Sequence, residues 1–501
     1  MAAADSDARD SSTPDAAGRS ATWPLTNRWR VSSVGRGRRS FAGVGVAAWR
    51  LAPLLPVYVG AALLIQHGAG PADDEASLLG FAQALLHGRY ATVGTSSPVA
   101  YLWHGPALPL MLAPMVWIGL PLWAMRLLTG PLLLFVAIVL FQRVLALGLD
   151  RRRALAGAYG LGLFVPFGYL LRSVAKEELA LVLVVAAMYG ITRALEHGRR
   201  RHVMLAGLAL AALVYDRVEY GWVAIAMLLV ALAWALHRRG RAVPRRFLAI
   251  CAIAVAGCVP WLAYTYSITG RILYWGNSGG LSLYWTSVGR PDQNGAWHAV
   301  HTVFRDAYLA PFRPFFRRID RLPPLRRDLA LQSAAVHNAF AHPARAAVNV
   351  AANAARMLFA APLGVHLSPL LILGYSVCMV ALLALAARGA ARLRSERRAL
   401  PRRHEMVPFT LLLGLGFAIH LLPTADPRML MPLIPILVWV AAHGRNGPDA
   451  GPVAMALVGR QRRRTGRTRR SAAEQSKHNT PSGIACKRPR EIGRPHTSQM
   501  P

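Results

Sequence analysis

Apolar stretches long enough, or nearly long enough, to cross a bilayer recur from Leu51 to Ala442, and short clusters of arginine separate them. A water-soluble fold would have to wrap each stretch in protein on all sides, whereas lipid covers it without a partner. The blocks are Leu51–Ile65, Pro106–Trp123, Leu127–Leu147, Ala154–Leu171, Leu179–Ile191, Val203–Val214, Trp222–Leu236, Phe247–Tyr266, Leu367–Ala387, Val407–Leu422 and Met429–Ala442. Between them, Arg151–Arg153, Arg193–His202, His237–Arg246 and Arg392–Arg403 are short basic connectors of the kind retained in the cytoplasm. The pattern predicts an all-α integral membrane protein.

Topology follows from parity. If Leu51–Ile65 leads outward and Arg151 lies inside, only one further crossing fits between them, yet two apolar blocks are present. Pro106–Trp123 is the block that does not cross, because Pro106, Pro109, Pro114 and Pro121 each remove a helical donor. The expectation is about ten membrane helices with an outer-face juxtamembrane helical loop and both tails cytoplasmic. The domains are then a disordered tail over 1–45, a membrane domain over 46–443 and a basic disordered tail over 444–501. The membrane domain includes a first outer loop over 67–126 and a long outer loop over 267–362.

The net charge of +35, from 58 Lys and Arg against 23 Asp and Glu, falls between apolar blocks and in the tails. It reads as a topology signal and as contact with anionic headgroups, and no nucleic-acid module accompanies it. Cys251, Cys258, Cys378 and Cys486 have no metal-ligand spacing and imply no disulfide framework.

On this topology the outer face gathers the polar groups able to do chemistry. Asp73, Asp74 and Glu75 follow the first span and open an amphipathic helix whose apolar face, Leu78, Leu79, Ala82, Leu85 and Leu86, suits the membrane interface. These carboxylates fit a general base for an acceptor hydroxyl, and equally the acidic N-terminus of a helix. Lys176, Glu177 and Glu178, with Arg172, open a later span as a ligand contact or an interfacial charge cluster. The Asp216-Arg217-Val218-Glu219 turn sits between two short spans, where charges are costly unless they line a cavity; it can bind phosphate through Arg217 or pair internally. Asn277 lies in the run Gly276–Gly280, which with Tyr274, Trp275, Tyr284 and Trp285 reads as a loop shaped against a sugar or lipid, and Asp426 with Arg428 precedes the last block. Arg313, Arg317, Arg318, Arg321, Arg326 and Arg327 form either a lipid-phosphate contact or a solvated face. His67, His87 and His104 read as isolated interfacial side chains.

Taken in order, these pieces resemble a family. The acidic pair before an alanine-rich helix, LLHGRY, HGPALP, LAGLALAALVYDR at Leu205–Arg217, Pro260–Trp261 with GNSGGLSLYW, AHPARAAVNVAANAARMLF at Ala341–Phe359 and DPRMLMPLIP at Asp426–Pro435 are similar to GT-C membrane glycosyltransferases. Within these, the resemblance is to protein O-mannosyltransferases and aminoarabinose lipid transferases, glycosyltransferase family 39. The chain departs from that pattern at Val218, at Ala263–Thr265 and at Met429.

The resemblance implies an inverting transfer of a sugar from a polyprenyl-phosphate carrier to a protein, lipid or glycan acceptor at the outer face of the plasma membrane. Asp74 would be the catalytic base, with Glu75 or Asp73 beside it, and Arg217, Arg428 and Lys176 would face the donor phosphate. Glu177, Glu178, Asp216, Glu219 and Asn277 would contact substrate, and no cofactor is required. The competing reading is a transporter or flippase for a polar or lipid-linked substrate, although the acidic cluster in a loop and the lack of an internal repeat argue against it.

Overall fold

The computed structural model describes residues 38–65, 68, 70, 71, 74–90, 102–290, 293–361, 369–395, 404–423 and 425–443. The expected tail over 444–501, residues 1–37 of the expected tail over 1–45, Asp73, His67 and Cys486 lie outside the described residues, while residues 38–45, expected to be disordered, are helical. The chain divides into two compact units, 1–46 and 47–501. The first is described only where helix α1 (Arg38–Leu51) begins, and everything below concerns the second. The described residues are helical and contain no strand.

Following α1, α2 (Leu54–Ile65), α3 (Glu75–Leu86), α4 (Ala107–Trp117) and α5 (Leu122–Leu145) complete the first quarter of the fold. Helix α5 is 24 residues long, or about 36 Å, and carries Pro131 inside it. Asp150 caps α6 (Arg151–Gly162), its carboxylate accepting from the backbone N–H groups of Arg152 at 3.0 Å and Arg153 at 3.1 Å. A 3-10 turn, Val165–Leu171, leads to α7 (Lys176–His197), which Gly198 closes in the left-handed region at φ 65°. Helices α8 (Arg200–Asp216), α9 (Tyr220–His237), α10 (Ala242–Gly257) and α11 (Val259–Thr269) follow through short turns.

Helix α7 packs between α5 and α8, and α10 packs against both α8 and α9. Without a hydrophobic drive between helices in lipid, small residues make such contacts close. A Cβ on Gly190 of α7 would meet the Ala206 backbone nitrogen of α8 at 2.8 Å. Gly190→Val is therefore expected to push α7 from α8 and destabilise the fold by about 1–3 kcal/mol, read as a lower unfolding midpoint in detergent.

The segment expected to be a long outer loop forms α12 (Gly279–Ser287), α13 (Val300–Arg305), α14 (Arg313–Asp320), α15 (Pro324–Ala341) and α16 (Pro343–Phe359). It has a core of its own built on Leu281, Trp285, Val303, Leu309, Phe316 and Leu331. Tyr284 stacks on Phe315 at 5.0 Å and Trp285 on Phe316 at 5.6 Å. The phenylalanines among the α14 arginines are thus turned inward. Arg317, Arg318, Arg321 and Arg326 stay exposed. The chain ends its described course in α17 (Pro369–Ser395), α18 (Met406–Leu421), the short α19 (Pro427–Leu430) and α20 (Ile434–His443).

Among the described residues five helices are long and apolar enough to cross a membrane: Leu122–Leu145, Lys176–His197, Tyr220–His237, Ala242–Thr269 and Pro369–Arg394. Counting two bent pairs as single spans, Gly45–Leu51 with Leu54–Ile65 and Arg151–Gly162 with Val165–Leu171, gives seven. The three further expected crossings fall on α8 at 17 residues, on α18 at 16 and on the interrupted run Pro427–His443. These are shorter than the roughly 20 residues of a full crossing. On α17 the large side chains Leu370, Leu371, Leu373, Val377 and Val380 are all exposed, an arrangement that lipid accommodates and water does not. The protein is an α-helical, multi-pass membrane protein.

One expectation changes at α3. Its apolar face packs against protein, because Leu78 and Ala82 are buried with Leu108, Leu112 and Ala113 of α4. Helix α4 is apolar on all sides and supplies the surface that the membrane interface was expected to provide. Leu86 alone of that face is largely exposed, at 41%.

Candidate active site

Charged groups from four separate places in the chain meet at the ends of the helices. Asp74 precedes α3 with backbone angles of −68° and −16°, and its side chain makes no capping hydrogen bond. Ser77 turns its hydroxyl back onto the Asp74 carbonyl, donating to it at 2.8 Å. The Asp74 carboxylate instead meets Arg428 Nη2 at 3.1 Å, both side chains keeping some solvent contact at 35% and 25% exposure. Asp426 presents Arg428 by accepting from its backbone N–H at 2.9 Å, which starts α19.

From Arg428 the network runs inward. Its Nε lies 3.9 Å from Glu177 Oε1, and the same oxygen accepts from Arg217 Nη1 at 3.1 Å. Arg217 Nε in turn donates to Glu219 Oε1 at 2.9 Å. Glu177 thus bridges two arginines that are 211 positions apart, 428 minus 217. Lys176, half-buried at the start of α7, adds positive charge near Asp74 and Glu219.

Electrostatics follow from these contacts. Burial would raise the Asp74 carboxyl, but the Arg428 guanidinium, followed by Lys176, overrides it and holds the group at about 2. Burial likewise opposes ionisation of Glu219, and Arg217 with Lys176 brings it to about 2. Both are carboxylates at neutral pH. His104, 4% exposed, is pushed down to about 3 by burial and then by Lys176, and is neutral. Because the Ser77 proton goes to the Asp74 carbonyl, the 2.8 Å contact between Ser77 Oγ and His104 Nε2 requires the imidazole to donate. His104 Nδ1 is left as a buried acceptor without a hydrogen-bond partner. The site can therefore offer a carboxylate at its mouth, two guanidiniums and an ammonium for an anion, and a neutral imidazole behind them.

The other expected residues separate into distinct roles. Glu75 is fully buried and turned away from Asp74. Its two oxygens take Arg126 Nη2 at 2.7 Å and Arg126 Nε at 3.0 Å, and Oε1 also accepts from the Val174 backbone at 2.9 Å. These contacts tie Glu75 to α5 and to the turn before α7. Glu178 and Asp216 are wholly buried, and neither carboxylate has a hydrogen-bond partner. Asn277 is buried, its backbone N–H donating to the Leu102 carbonyl at 3.3 Å. Arg172 stands over the Tyr169 ring at 5.5 Å and does not join the cluster. Among the described residues no group of three His, Cys, Asp or Glu side chains could hold a metal ion.

No family model matches the chain, and no curated protein matches it. Among solved structures, it is similar to ArnT from Cupriavidus metallidurans bound to undecaprenyl phosphate. The likeness covers 79% of this chain and 76% of that one, at 16% identity and a TM-score of 0.34. At that score the likeness carries no argument about chemistry, which rests here on the charge network.

His104 and Arg126 were not legible as site residues. His104 belongs to the site because a Cβ on Gly105 would lie 1.9 Å from the Tyr215 carbonyl, so only glycine lets this segment pass against the end of α8. Arg126 did leave a trace, as a single charge at the edge of an apolar block, which in a membrane helix demands a partner. The segment Tyr274–Gly280 is held by Asp328 of α15, which accepts from the Tyr274 hydroxyl and the Gly280 N–H at 2.8 Å each.

Proposed function

We propose that the protein is a membrane glycosyltransferase that moves a sugar from a polyprenyl-phosphate carrier to an acceptor hydroxyl, at the outer face of the plasma membrane. The observation that carries this reading is the contact between Asp74 and Arg428, a carboxylate and a guanidinium side by side at a partly open site. Proton abstraction and phosphate departure need such a pair within one substrate length.

In the proposed reaction the acceptor oxygen attacks the anomeric carbon while Asp74 takes its proton. The bond from that carbon to the phosphate oxygen breaks, and the electron pair leaves with polyprenyl phosphate. Attack opposite the leaving group inverts the anomeric centre. Arg428 and Arg217 offset the charge on the departing phosphate, with Lys176 nearby. Donor binding also prepares the base: a phosphate that draws on Arg428 weakens the grip holding Asp74 at about 2, so its proton affinity rises when it is needed. Glu177 and Glu219 hold the two arginines in place.

The test is transfer in proteoliposomes given labelled polyprenyl-phosphate sugars and candidate protein, lipid and glycan acceptors. Label should move to an acceptor while free polyprenyl phosphate appears in equal amount. Label that crosses the bilayer still attached to its carrier would favour a flippase, and a donor neither bound nor consumed would sink the proposal.

A further inference from the structure

We infer that Asn353 and Thr286 are positioning residues that fix Arg428 against Asp74 by clamping the end of α18, an inference that rests on the transferase reading for its catalytic consequence. The last carbonyls of a helix have no donor within the helix. At α18 they are served from elsewhere in the fold: Asn353 Nδ2 of α16 donates to the carbonyls of Leu421 and Pro423, at 2.9 Å each. The Thr286 hydroxyl of α12 donates to the same Pro423 carbonyl at 2.7 Å, and Asn353 Nδ2 lies 3.2 Å from that hydroxyl. All of these groups are buried or partly buried, so water does not replace them at no cost.

The clamp is itself held rigid. Arg356 Nη1 donates to Asn353 Oδ1 at 2.5 Å, which fixes the orientation of the amide. One helical turn before Asn353, Asn349 donates to the carbonyls of Thr286 at 2.8 Å and Val288 at 2.9 Å, tying α16 to α12. The charge of Arg356 also acts on Asp426, the residue that starts α19 and presents Arg428. The α12–α16 segment and the guanidinium thus share one set of hydrogen bonds. Neither Asn353 nor Thr286 touches the ion-pair network, so any effect on it must pass through the turn.

The experiment compares Thr286→Val, Thr286→Ser and Asn353→Leu with the native chain. Thr286→Val keeps the side-chain shape and loses the donor, while Thr286→Ser keeps the donor. In the transfer assay Thr286→Val should raise the donor KM by roughly three- to tenfold, the loss of one buried hydrogen bond, with Asn353→Leu larger and Thr286→Ser near native. The acid limb of the rate profile should move upward in Thr286→Val, because Arg428, Lys176 and His104 are the groups facing Asp74 and only Arg428 is loosened.

A second readout does not depend on chemistry. Spin labels on exposed Ala76 and Leu422, in a background without native cysteines, report the distance between α3 and the turn. A narrow distribution should broaden in Thr286→Val and not in Thr286→Ser. If the variants lower thermal stability alone, with KM, acid limb and distance distribution unchanged, the clamp is overturned. If the native chain transfers nothing, the proposed function fails by itself and the label distances still decide the clamp.

Discussion

Arg126→Met is expected to lower stability by about 3–5 kcal/mol, the cost of leaving one member of a buried ion pair unmatched. Arg126 is 3% exposed and Glu75 not at all, so water cannot take over the abandoned carboxylate. The loss extends beyond the pair, because Arg126 also donates to the backbone carbonyls of Gly68 at 3.1 Å and Gly70 at 2.9 Å. Those contacts anchor the chain that leads into α3, and with it Asp74. Thermal or denaturant unfolding in detergent measures the effect. Glu75→Gln should fall in the same direction, and the double variant should recover part of the loss, because two neutral groups are cheaper to bury than one charge. A Glu75→Gln protein of native stability and no activity would instead make Glu75 a catalytic group.

The contrast between Glu75 and Asp74 also marks how far the sequence can be read. Successive residues at a helix start point about 100° apart, so one of two adjacent carboxylates had to face away from the other. Which one turned inward depended on Arg126, 51 positions later, and no local pattern encodes that partner. The helical membrane class was legible because apolar blocks between arginine clusters are a local property. Crossing number was less so, because α8, α18 and the run to α20 end before a full span and only packing shows it.

The members of the charge network were visible one by one, since Asp74, Glu177, Arg217, Glu219 and Arg428 all stand at the margins of apolar blocks. Their pairing was not, because Asp74 and Arg428 meet only after α3 and α19 are brought together. His104 stayed hidden for a related reason. A lone histidine between Trp103 and Gly105 gives no hint of a partner, and its link to Asp74 runs through Ser77, 27 positions earlier. Asn349 and Asn353 lie four apart on a helix that also carries Arg345 and Arg356, a spacing that marks one face yet leaves its target unnamed.

Asp74→Asn is expected to lower transfer by about 10²–10⁴-fold, the usual contribution of a positioned general base, while the protein keeps its fold. Stability should change little because the side chain is partly in solvent and caps no helix. The pH dependence separates a base from a spectator. The folded Asp74 carboxyl sits at about 2, below its ordinary 3.8, so the ionised group favours the fold at every pH above 3.8. That contribution is lost as pH falls through 2. In the rate profile the acid limb of kcat/KM, which reports the free protein, should therefore lie below that of an ordinary carboxylate. The limb of kcat should lie higher, because bound phosphate draws Arg428 away from Asp74. Arg428→Gln removes the guanidinium that opposes burial, so it should raise the kcat/KM limb toward the kcat limb as well as weaken donor binding. Coincident limbs in the native chain, unmoved by Arg428→Gln, would mean that Asp74 is not the group that titrates and that the base lies elsewhere.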